Sequence, residues 1–111
     1  MNRPLTTAEE CLIRWMLEHD TPEARAFLPQ LEQAQVTPWR CACGCGSIHL
    51  TIRGYPERSG GFHPLAGFLF GSDEDLSGIF VYDQSGVLGG LEVYGFVGNV
   101  PKSLPSPESL R

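Results

Sequence analysis

Apolar residues recur through the first part of the chain at the spacing of an α-helix. Ala8, Cys11, Leu12, Trp15 and Met16 fall on one stripe, and Ile13 and Leu17 widen it. Thr6 and Thr7 each precede a glutamate by three residues, Glu9 or Glu10, so either can close a capping box. This helix is expected to end near His19, where an imidazole sits favourably by the terminal carbonyls. A second helix begins at Asp20 or Thr21 with Pro22 in its first turn, and Ala24, Phe27, Leu28 and Leu31 keep the period. Pro29 interrupts it: the helix either kinks there, or stops at Leu28 and restarts with Pro29 in a first turn.

From residue 36 the period changes to that of a strand. Ile48, Leu50 and Ile52 alternate with His49, Thr51 and Arg53, the pattern of a half-buried strand. Residues 54–64 are rich in glycine and proline and read as a loop. Leu65 to Phe70 is a short apolar strand, and Gly71 to Ser77 an acidic turn. Two apolar runs, Gly78 to Asp83 and Val87 to Phe96, flank Gln84-Ser85-Gly86, which predicts a hairpin with a three-residue loop and Gly86 in the left-handed conformation. The tail, 97–111, carries Pro101, Pro105 and Pro107 and should be extended. The expected fold is α+β in a single domain: a helical part (6–34), a β-rich part (36–96) and the tail. Two helices pack on an antiparallel sheet of about four strands.

Composition narrows the function classes. At 41% hydrophobic the 111-residue chain is too apolar to be disordered, and no apolar run reaches the length of a membrane span. Near the N-terminus Glu9, Glu10 and Arg14 replace the continuous apolar stretch of a secretory signal, so the cytoplasm is the expected compartment. The formal net charge is −5, and the eight basic residues are scattered. Phosphate backbones and anionic membranes recruit proteins through clustered positive charge, so neither nucleic acid nor a membrane is an expected partner.

The most unusual chemistry is Cys-Ala-Cys-Gly-Cys at Cys41, Cys43 and Cys45. In a reducing compartment these are thiols or metal ligands rather than disulfides. Zinc is the cofactor they would hold, with His49, His63 or Cys11 as a fourth ligand. Their one-residue spacing counts against this, because alternate side chains of an extended segment lie roughly 7 Å apart and zinc knuckles separate paired ligands by two to four residues. A buried apolar role for the cysteines beside a tight entry into the strand at Ile48 is the simpler reading, with thiol-dependent catalysis a third. The acidic run Asp73-Glu74-Asp75 lacks the ligand spacing of a calcium loop, and Gly60-Gly61 and Gly89-Gly90 match no phosphate-cradling pattern. No catalytic constellation emerges.

Three segments taken together carry a family resemblance: Arg40 to Cys45 running into a strand, Leu91-Glu92-Val93-Tyr94, and Leu104-Pro105. In this order, after a short helical N-terminus, they resemble a family of small bacterial proteins of uncharacterised function. The resemblance implies an intracellular bacterial domain and transfers no catalytic residues.

The hairpin also lacks a polar face. One side carries Ile79, Val81, Leu91 and Val93, the other Phe80, Tyr82, Tyr94 and Phe96. In the expected register Phe80 faces Gly90 and Tyr82 faces Leu88, a ring over a facing glycine being a known device. A sheet with one wet face should alternate apolar and polar residues, and two short helices cover only the aliphatic side. The aromatic side then needs the tail around 97–104, a second copy of the chain, or another protein to cover it. The expected function is accordingly a non-enzymatic protein-interaction domain of immunity or accessory type. A small zinc protein is the alternative.

Overall fold

A computed structural model describes residues 1–42, 44–55, 61–96 and 101–111. The first helix, α1 (Thr7–Glu18), starts at the earlier of its two expected caps: Thr6 Oγ1 accepts from Glu9 N–H at 3.1 Å, and Glu9 Oε1 accepts from Thr6 N–H at 2.8 Å. Arg3 adds two parallel bonds to the same carboxylate, Nη1 to Oε1 at 2.9 Å and Nη2 to Oε2 at 2.8 Å. That pairing holds the Glu9 carboxyl below its ordinary pKa and ties the chain start to the helix. Leu12, Ile13, Met16 and Leu17 are fully buried, so the widened stripe is the core face.

The second helical stretch is divided. Two single turns, α2 (Pro22–Arg25) and α3 (Leu28–Leu31), each carry a proline in the first turn, where its missing N–H is not needed. Of the two readings of Pro29, a restart is the one observed.

Six strands, rather than about four, form one antiparallel sheet. They are β1 (Arg3–Pro4), β2 (Ala34–Val36), β3 (Ile48–Ile52), β4 (His63–Phe70), β5 (Ser77–Gln84) and β6 (Val87–Gly95), in the order β1-β2-β3-β6-β5-β4. The two additional strands are two and three residues long. Pieces that short have no period to detect, and Ala34, the first residue of β2, was expected to close the helical part.

The hairpin departs from its expected register in two steps. Its loop has two residues, not three: Ser85 (φ 54°) and Gly86 (φ 86°) both take positive φ, as a type I′ turn demands. This shifts the pairing by one, to Asp83↔Leu88. A bulge at Gly89 shifts it by one more, to Tyr82↔Gly90, Val81↔Leu91, Phe80↔Glu92 and Ile79↔Val93. Sheet faces alternate with period two, so two single shifts restore the original sidedness. Ile79, Val81, Leu91 and Val93 do face the helices, while Leu88 crosses to the core and is 1% exposed.

The free edge of β4 is covered. Asp20 Oδ2 accepts from Gly67 N–H at 3.0 Å, and Leu69 exchanges backbone bonds with Arg111 at 2.9 and 3.0 Å. Such covering blunts an edge that would otherwise pair with other chains. On the way there, Leu104 and Leu110 pack against the helix-side core. Leu104 and Leu110 thus serve the face that α1 already covers; 97–100, the first part of the tail segment expected over the aromatic side, lie outside the described residues. Among the described residues no helix is long and apolar enough to cross a membrane.

Candidate functional site

The outer face of the sheet, away from the helices, is built on glycines. Glycine inside a strand costs roughly 0.5–1 kcal/mol relative to alanine, so several together require a packing reason. Here rings lie across the space their missing side chains leave. Tyr94 covers Gly78, its direct cross-strand partner, and Tyr82 covers Gly89 and Gly90. The expected device of a ring over a facing glycine is present, on different pairs from those predicted.

Around these two tyrosines the rings form a continuous row. Trp39, from the loop before β3, stacks on His49 with centroids 3.7 Å apart and planes 2° from parallel. His49 meets Tyr82 edge-on across Gly90 at 6.5 Å. Phe62 stacks on Tyr82 at 4.1 Å, Phe80 lies 6.1 Å from Tyr82 and 5.9 Å from Tyr94, and Phe96 meets Tyr94 edge-on at 5.2 Å. The four residues singled out from sequence, Phe80, Tyr82, Tyr94 and Phe96, are therefore one contiguous surface, but they differ in access. Tyr82 is 1% exposed, Tyr94 36% and Phe96 56%. Tyr82 is structural, and its burial raises the phenol pKa.

Beside this row the sheet opens. β3 and β6 pair only at Ile48↔Leu91 and His49↔Gly90 before the Gly89 bulge turns β6 away. The gap is a cleft of about 210 Å³ walled by Trp39, His49, Thr51 and Tyr55 on one side and Gln84, Val87 and Gly89 on the other. Behind it, Gln30 of α3 takes the place of a strand: its Oε1 accepts from Leu88 N–H at 2.8 Å and its Nε2 donates to Gly86 O at 3.0 Å.

The cysteine segment lies at the entry to β3. The Cys45 thiol donates to Ser47 Oγ at 3.2 Å, and that buried hydroxyl accepts from Val93 N–H at 2.9 Å, fastening the loop to β6. Cys41 is half-buried, Cys11 is exposed on α1, and Cys43 lies outside the described residues. Among the described residues no three His, Cys, Asp or Glu side chains come together as a metal-holding group, so Cys41, Cys45 and His49 do not converge on one point. His63 Nδ1 lies 2.8 Å from Asp83 Oδ1, and Asp83 Oδ2 accepts from Gly86 N–H at 2.8 Å. This pair braces the hairpin turn.

No protein-family model, curated protein or solved structure matches the chain. The geometry of the outer face is what bears on function. Sequence reasoning found half of that face. It missed Trp39, Tyr55 and Phe62, which belong to loops and carry no periodic signal, and it placed no weight on Glu92, the one carboxylate among the rings of the paired strands.

Two titrations of this face oppose each other. Burial lowers the His49 pKa from 6.5. The unfolded chain then binds more protons between the lowered value and 6.5, so the contribution of His49 is present above 6.5 and lost on acidification. Burial raises the Glu92 pKa from 4.5, so the folded state binds more protons and gains stability as pH falls toward 4.5. Urea titrations at pH 7.5, 6.5 and 5.5 should therefore show stability falling with acid more steeply in Glu92→Gln than in wild type, and less steeply in His49→Gln. Identical pH slopes in all three proteins would refute both assignments.

Proposed function

We propose that the protein is a non-enzymatic interaction domain, of immunity or accessory type, that binds a protein partner through the outer face of its sheet. The observation that carries this reading is the concentration of exposed rings there. Trp39, Tyr55, Phe62, Tyr94 and Phe96 are 36–56% exposed, while the helices, Leu104 and Leu110 pack on the core at the opposite face. Contiguous apolar surface of a few hundred Å² on a small domain marks an interaction site, and aromatic side chains are the commonest anchors of such interfaces. A bacterial, cytoplasmic setting is part of the proposal and rests on the resemblance of the Arg40–Cys45, Leu91–Tyr94 and Leu104-Pro105 segments and on the reducing compartment that the thiols suit.

An immunity or accessory protein is expected to be encoded beside its partner, so the product of the neighbouring gene is the partner to test. Co-expressed with the full chain, it should co-purify, and Tyr94→Ser/Phe96→Ser should abolish the complex with little change in melting temperature. A complex indifferent to that variant would move the interface elsewhere. A wild type that sediments as a dimer, dispersed by the same substitutions, would assign the face to a second copy of the chain instead.

A further inference from the structure

The reading of the outer face as a docking surface leaves open what the partner must present, and the surroundings of Glu92 narrow it. Glu92 lies directly across from Phe80 in the ladder. Tyr94 follows two residues later on the same face of β6, and Tyr82 lies diagonally across. The Phe80 ring is inclined 54° to Tyr94 and 59° to Tyr82, so the three rings form an open angle rather than a flat layer. Glu92 is half-buried, and among the described residues no Lys, Arg or His comes within ion-pair distance of it. Burial raises its pKa.

An apolar partner docking here would bury the carboxylate further with nothing to compensate the lost hydration. A second copy of the chain brings a like net charge of −5, which opposes its approach to this acidic face. A cation solves both parts of the problem, because the faces of aromatic rings attract positive charge and the carboxylate pairs with it. Guanidinium suits the setting better than ammonium: it is planar, weakly hydrated, stacks on rings and donates two parallel bonds to a carboxylate.

We propose that the outer face receives an arginine side chain of the partner protein, seated against Phe80 and Tyr94 and paired with Glu92. This rests on the docking role proposed above, and it can fail while that role stands.

The probe is a blocked pentapeptide, acetyl-Gly-Gly-Arg-Gly-Gly-amide, titrated into the isotopically labelled full chain, with the citrulline peptide as its neutral isostere. The arginine peptide should shift amide signals of Phe80, Glu92 and Tyr94, and the citrulline peptide should not. Glu92→Gln should weaken binding by roughly tenfold, the scale of one hydrogen bond to a charged group. Glu74→Gln, the same charge change on the exposed Asp73–Asp75 turn, should alter it by less than about twofold, since exposed charges at a distance are screened. Equal weakening by the two variants would reduce the effect to general attraction and overturn the proposal, as would equal binding of the citrulline peptide or no shifts at all. Removing a half-buried charge should not unfold the protein, and a melting temperature for Glu92→Gln no lower than that of wild type at neutral pH verifies that. If Glu92→Gln keeps full affinity for the neighbouring gene product while Tyr94→Ser/Phe96→Ser loses it, the arginine seat falls and the docking face remains.

Discussion

Gly90→Val should destabilise the protein by about 3 kcal/mol or more, among the largest effects of any single substitution here. Gly90 lies between His49 and Tyr82, where β3 last pairs with β6. A Cβ at this position would run into the Ile48 carbonyl oxygen and come within 2.7 Å of the Tyr82 hydroxyl. The first obstacle is backbone and cannot rotate away. Relief would require separating β3 from β6 at one of only two rungs that join them. Gly78→Ala is the control. Its Cβ would meet the ring end of Tyr94, a partly exposed side chain with room to swing outward, so the loss should stay near 1 kcal/mol. Urea denaturation of both variants checks the contrast, and a Gly90→Val protein as stable as wild type would mean that β3 and β6 are not held together here.

Tyr82→Ser should cost about 3–4 kcal/mol, in the range seen when a large buried aromatic is truncated. Its ring is 1% exposed, stacked by Phe62, edged by His49 and laid over Gly89 and Gly90, so removing it opens a void that glycines cannot fill. Tyr94→Ser, on the same face two strand positions from Glu92, should lose no more than about 1 kcal/mol, because its ring is already more than a third exposed. Tyr82 thus tests the fold and Tyr94 the surface. Melting curves that place both variants together would contradict the division of the row into a buried part and an accessible part.

Side-chain periodicity was legible along the chain wherever an element was long enough to show it. The Thr6–Glu9 capping box, the apolar stripe from Leu12 to Leu17 and the alternation at Ile48–Ile52 each follow from local rules, and each is present. So is the division of the hairpin into an aliphatic and an aromatic side, although the register behind it differs. A two-residue turn and a one-residue bulge each displace the pairing by one, and a period of two conceals their sum. Leu88, between the turn and the bulge, is where the displacement shows: it was expected on the aromatic side and is buried in the core.

What the sequence alone could establish is the set of elements with a repeating local signal, their class, and the excess of apolar surface that a single layer of helices leaves uncovered. The tertiary structure decided the rest. β1 and β2 are strands only because Arg3 is held by Glu9 and Val36 finds Leu50 across the ladder. The outer face became a continuous row because Trp39 and Phe62 fold back from loops onto His49 and Tyr82, and the cleft exists because Gly89 bulges where β3 and β6 part. Helices and long strands are specified by neighbours a few residues apart, which a sequence displays directly. Short strands, loop rings and the setting of a lone carboxylate depend on residues dozens of positions away, and those become neighbours only when the chain has folded.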